Sequence, residues 1–181
     1  RNSKHLKHYQ QDFAEAGVKV ATQVMDASDQ SSIKEAYAQA VKAHGQPDVL
    51  FYNVGMITPI KGQPTADQLV EHYRTDVVGA YTLIQAAVNN EQFVAKSRTI
   101  LVTGGGLAFH PSAKYLPLSV DKAALRTMVQ ALHPELAKRG IFLGIVNVVG
   151  GIGYSPKYMP EKIADQFWKL YQDQSGFEVT Y

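Results

Sequence analysis

The chain has 181 residues, of which 45% are hydrophobic and 19% charged, enough to bury a core without staples as one domain spanning 1–181. A net charge of +2 gives no electrostatic argument for nucleic acid or an anionic membrane surface. With no cysteine, disulfides, thiolate metal sites and cysteine nucleophiles are excluded. The most apolar run, 141–152, is interrupted by glycines and Asn147 and is too short to span a bilayer, so a soluble, cytoplasmic protein is expected.

In chain order, Leu6, Tyr9, Phe13 and Ala16 recur at helical spacing behind Ser3, and Gly17 supplies a stop, which predicts a helix over 3–16. Residues 18–24 alternate between apolar and polar, predicting a strand, followed by the polar loop 26–29 and a helix over 31–44 closed by Gly45. Val49 to Tyr52 is a short apolar run of the kind buried on both faces of a parallel sheet. Thr65 and Gln68 form a capping-box pattern opening a long helix to about residue 95. A strand follows over 99–102, then a helix over 118–139 with Pro134 as an expected kink and Gly140 as its stop. A strand over 142–148, a helix over 161–172 and a terminal strand over 177–179 complete the chain. Strands alternating with helices of this length predict a doubly wound, mainly parallel α/β sheet.

Several residues form an ordered set at the ends of these elements. Asp26 follows one predicted strand and Asn53-Val54-Gly55 the next. Asp76 lies within the long helix, Thr103 to Gly106 form a small-residue turn, and Lys122 stands near the start of another helix. Together they resemble the short-chain dehydrogenase/reductase family. The resemblance implies a Rossmann-type three-layer sandwich, with ligands at the carboxyl ends of the strands. It implies adenine contact for Asp26, a cofactor-lining turn at Asn53, Val54 and Gly55, and a nicotinamide-ribose hydrogen bond from Lys122. The family's Pro-Gly turn after its sixth strand matches Gly150-Gly151, placing Gly151 at the cofactor. Arg1 falls where an arginine commonly grips the 2′-phosphate of NADP, so NADP is the implied cofactor.

Departures from the pattern bear on chemistry. The family's proton-donating tyrosine aligns with Leu118, four residues before Lys122, and its carbonyl-polarising serine with Gly105. The asparagine of its proton relay aligns with Asp76. A positioned acid contributes roughly two to four decades of rate and one oxyanion donor two to three. Tyr115, three residues before Leu118, is a candidate substitute acid, and His110 and Ser112 lie in the same loop. His5 and His8 lack a third ligand nearby, so no metal is expected. Thr103 to Gly106 does not continue into a glycine-spaced phosphate turn, and no such turn stands elsewhere in the sequence. The family's first two strands are thus expected to be missing from this chain, with a strand-helix-strand unit preceding Arg1 in the intact protein.

The long helix from Thr65 resembles the family's dimer helix, implying a homo-oligomer. Two functions remain open at this point. One is a divergent NADP-dependent oxidoreductase acting on a small carbonyl or alcohol substrate, with Tyr115 or the substrate itself supplying the acid. The other is a non-catalytic nucleotide-binding sensor or oligomeric scaffold subunit.

Overall fold

The longest apolar stretches of the sequence become the centre of a sheet. In the computed structural model, which describes residues 3–95 and 98–181, four strands pair in parallel in the order β1-β2-β3-β4. They are β1 (Val49–Tyr52), β2 (Thr99–Gly105), β3 (Phe142–Val148) and β4 (Glu178–Thr180). Val102 faces Ile145 across the β2–β3 ladder, and Gly104 faces Asn147. Every residue of β3 is buried, as a strand covered on both faces requires.

Helices supply the two covers. On one face Ile84, Ala87 and Val88 of α4 (Gly79–Val88) and Leu125, Val129 and Leu136 of α6 (Leu116–Ala137) close over Ile100, Val102, Leu143 and Ile145. On the other, Ile163, Phe167 and Leu170 of α7 (Pro160–Asp173) close over Leu101, Phe142, Val146 and Val148. Each such aliphatic or aromatic side chain contributes roughly 1.5–3 kcal/mol by leaving water. The result is the three-layer α/β arrangement expected from the alternating elements. The remaining helices are α1 (Ser3–Glu15), α2 (Gln30–His44), α3 (Ala66–Tyr73) and α5 (Glu91–Val94).

Local signals explain where helices begin. Asp29 caps α2 by accepting from the Ser31 amide. At α3 the Thr65 hydroxyl accepts from the Gln68 amide at 3.2 Å while the Gln68 side chain accepts from the Thr65 amide at 2.9 Å, the reciprocal pair expected from the sequence. Gly45 ends α2 at φ 81°, a left-handed backbone that a Cβ would strain.

Three expectations need correction. Strand β1 is not buried on both faces: it lies at the sheet edge, and Val49 and Phe51 stay 38% and 46% exposed. Residues 18–24 form no strand. A ladder needs a neighbouring backbone, and among the described residues none lies alongside this segment, so Val18 and Val24 stay 49% and 54% exposed in an extended stretch. The helix expected from Thr65 to about residue 95 is also not uniform: α3 passes through a π turn at Arg74–Val78 into α4, and the short α5 follows separately. Boundaries elsewhere move by a few residues. Helix α6 starts at Leu116, with Pro117 in its first turn, and carries Pro134 without ending.

Candidate active site

The carboxyl ends of β1 and β2 meet the first turns of α6 at Lys122. Its ammonium is buried and donates to the carbonyls of Thr103 (3.0 Å) and Val54 (3.3 Å), one from each strand end. An ammonium has three donors, so one remains for a further acceptor. Gly55 borders it: a Cβ there would lie 3.5 Å from Lys122 Nζ and 3.8 Å from Asp76 Oδ2. The glycine thus leaves an opening beside the buried cation. Burial lowers the lysine pKa, and the carboxylates of Asp76 and Asp121 pull it part of the way back.

The π turn places Asp76. Widening the helix at Arg74–Val78 leaves the Thr75 carbonyl to accept from the Tyr52 hydroxyl at 2.6 Å. Gly79 lets the helix come that close, since a Cβ would sit 2.5 Å from both the Tyr52 oxygen and the Ala27 carbonyl. Asp76, buried on the inner side of the turn, accepts from the Met56 amide at 3.1 and 3.3 Å. Its carboxyl pKa is raised by burial, opposed by Lys122, the Met56 amide and His72. A π turn within a helix is often found at a functional site.

The other sequence-derived positions distribute around this centre. Leu118 is buried one helical turn before Lys122, and a Cβ on Gly105 would make ordinary contacts of 3.4–3.9 Å with the Lys122 stem. Gly105 thus borders the lysine stem, and Leu118 precedes the lysine by one turn of the same helix. Asn53 accepts from the Thr103 hydroxyl at 2.8 Å, tying the two strand ends together. Asp26 accepts from the amide and hydroxyl of Ser28 in a tight turn ahead of α2. Gly151 is exposed beside the Tyr154 ring. Tyr115 stands just ahead of α6, half-buried, with the Lys114 ammonium over its ring and its carbonyl accepting from Ser119. Ser119 is buried and also holds the Ser112 amide, so its hydroxyl ties down the loop before α6. His110 is exposed. Arg1 lies outside the described residues. Among the described residues no group of three or more metal-ligating side chains assembles, and no helix is long and apolar enough to cross a membrane.

Two members of the centre escaped the sequence reading. His72 on α3 and Asp121 on α6 are 4% and 1% exposed, and His72 Nδ1 lies 3.8 Å from Asp121 Oδ2. Neither that nitrogen nor either Asp121 carboxylate oxygen has a hydrogen-bond partner. Burial, with the Asp76 charge adding and Lys122 opposing, pushes the Asp121 carboxyl up to about 7. The available signal was spacing: His72 stands four residues before Asp76, one helical turn apart, and Asp121 directly precedes Lys122.

Relatives share this architecture. Residues 1–155 match the family model described as short chain dehydrogenase. The uncharacterized oxidoreductase YghA of Escherichia coli (strain K12) is 26% identical over 134 residues, covering 73% of this chain and 45% of that protein. The match therefore spans less than half the length of this curated relative. Among solved structures, an alcohol dehydrogenase from the archaeon Thermococcus sibiricus complexed with 5-hydroxy-NADP superposes with a TM-score of 0.85 at 18% identity, over 100% of this chain and 82% of that one. A metagenomic short-chain oxidoreductase in complex with NADP gives 0.84 at 22% identity, over 99% and 81%. With a matched model spanning most of its length and an oxidoreductase among its relatives, the chain belongs to the short-chain dehydrogenase family.

Proposed function

We propose that the chain is an NADP-dependent oxidoreductase of divergent site that holds the cofactor's nicotinamide ribose at Lys122 and has little or no carbonyl reductase activity. The observation that carries this is the pairing of a preserved cation with two emptied positions. Lys122 keeps a spare donor beside the opening at Gly55, whereas Leu118, one helical turn before it, and Gly105, bordering its stem, offer neither an acid nor an oxyanion donor. The fit to the cofactor is partial. The ribose end is matched by Lys122, Asn53, Val54 and Gly55, with Asp26 and Gly151 as further contacts. Among the described residues no glycine-rich turn into a helix offers itself to the pyrophosphate.

Held at Lys122, Asn53, Val54 and Gly55, NADP would supply hydride-transfer chemistry toward a carbonyl or alcohol carbon. The chain's own part is to hold and orient: Thr103 and Val54 fix the lysine, and Asp76 fixes the turn carrying Gly55 through the Met56 amide. A lysine charge beside a phenol lowers its pKa; beside Leu118 it has no proton to mobilise. Tyr115, three residues before Leu118 and half-buried just ahead of α6, offers a phenolic hydroxyl as a substitute acid, which keeps a weak reductase as the second reading. Exposed Val70, Tyr73 and Tyr81 on α3 and α4 favour a homo-oligomer through those helices.

The test is NADPH titration of the protein followed by NADPH oxidation over a panel of aldehydes and ketones. Binding without turnover is expected. Turnover that disappears in Tyr115→Phe establishes the weak reductase instead, and absence of binding removes the cofactor assignment.

A further inference from the structure

Behind Lys122 sit more ionisable groups than the proposed chemistry uses. The π turn contributes Asp76, α3 contributes His72 and α6 contributes both Asp121 and Lys122, and all four are buried. Tyr52 of β1 faces Asp76 from the strand side, its own pKa raised first by burial and then by that carboxylate. The other charged or titratable groups nearby on α3 and the π turn, namely Asp67, Glu71, Tyr73 and Arg74, are exposed, and Arg126, one turn along α6, is paired with Glu178.

Charge counting then decides the state of the cluster. With Lys122 positive and both carboxylates ionised, Asp76 and Asp121 together outnumber the lysine by one negative charge. An uncompensated buried charge is costly, and such a site takes up a proton rather than hold it. Asp76 has the Met56 amide as a donor to its charged form. Asp121 has no donor on either oxygen, and an unpartnered imidazole nitrogen faces it at 3.8 Å. A proton is therefore better placed on Asp121, beside His72, than on Asp76, which already accepts from an amide.

We infer that His72 and Asp121 form a buried positioning pair that holds one proton behind Lys122 and thereby sets the charge presented to an anionic nucleotide at the Gly55 edge. The inference rests on the nucleotide reading above. With the proton in place the cluster is neutral. Without it, a negative charge stands in the core behind a ligand that is itself negative. The direction of the Asp121 shift agrees with proton release around neutral pH.

The experiment is NADPH binding by wild-type protein and Asp121→Asn at pH 6.0 and 8.5, with the ratio between the two proteins at each pH cancelling the ligand's own titration. At pH 6.0 the two should bind within about twofold. At pH 8.5 Asp121→Asn should bind roughly tenfold tighter, the scale of one charge acting across a protein interior of effective dielectric about 20. Equal affinities at both pH values overturn the inference. If neither protein binds NADPH, the nucleotide reading fails, and urea unfolding midpoints judge the proton-holding pair separately. Wild-type midpoints that fall from pH 5 to 8 relative to Asp121→Asn uphold it, and parallel profiles overturn it. Asp121→Ser removes the same carboxylate and serves as the second variant should the amide not fold.

Discussion

Restoring the two emptied positions, by Gly105→Ser together with Leu118→Tyr, asks whether the geometry around Lys122 is otherwise that of a working reductase. A Cβ at position 105 would have Lys122 Cγ, Cδ and Cε as its nearest neighbours at 3.4, 3.7 and 3.9 Å, ordinary contact distances that admit a small side chain. Tyrosine at 118 replaces a side chain that is 5% exposed, so overpacking costs about 1–3 kcal/mol and a modest fall in Tm is expected. In return the phenol stands one helical turn before a buried ammonium that lowers its pKa. A donor is worth roughly two to three decades and an acid two to four. These gains are non-additive, and the phosphate end of the cofactor site is unimproved, so a rise of at least about tenfold over any residual rate is the outcome expected. The assay is NADPH oxidation with an aldehyde and a ketone, beside a melting curve and an NADPH titration of the same preparation. A folded, NADPH-binding double variant with an unchanged rate would refute the assignment of Leu118 and Gly105 to the acid and donor positions.

Three further outcomes follow from individual contacts. Because the Asp121 carboxyl is raised from 3.8 to about 7, the folded state binds its proton more tightly than the unfolded state. Its contribution to stability is complete below about pH 4 and is lost as pH rises through about 7, with a ceiling of about 4 kcal/mol; denaturant melts of Asp121→Asn should lack this decline. Lys122→Met leaves the Thr103 and Val54 carbonyls without their donor and Asp76 without compensation. A cost of about 3–5 kcal/mol in urea unfolding is expected, and a loss below 1 kcal/mol would contradict the buried pairing. Tyr52→Phe removes only the hydroxyl that meets the Thr75 carbonyl, for about 1 kcal/mol. A Tm drop of roughly 2–4 °C should accompany it.

Much of this was legible in the sequence because it depends on local pattern. Residues 142–148 are a continuous apolar run that becomes a strand buried on both faces, whereas Val49 to Tyr52 forms a strand as its pattern predicts but at the sheet edge, with Val49 and Phe51 exposed. The Thr65–Gln68 capping box needs only four residues to form. Leu118 and Lys122 share a helix face because four residues make one turn, whereas Gly105 was grouped with them by the family resemblance alone. What failed depends on partners distant in sequence. The alternation of residues 18–24 promises a strand, yet pairing needs a second backbone. The π turn at Arg74–Val78 is stabilised by the Tyr52 hydroxyl, more than twenty positions earlier, and no helix periodicity announces it. His72 and Asp121 read as ordinary polar residues of amphipathic helices until α3 and α6 are packed together.

The measurement that tests the account most directly is NADPH titration of the wild-type protein, read by cofactor fluorescence, with turnover followed in the same sample after an aldehyde is added. Saturable binding that weakens about tenfold in Lys122→Met, with NADPH consumption at the uncatalysed rate, is what the account predicts. NADPH oxidation well above that rate, insensitive to Tyr115→Phe, would contradict it, since the site would then hold an acid that neither Leu118 nor Tyr115 supplies.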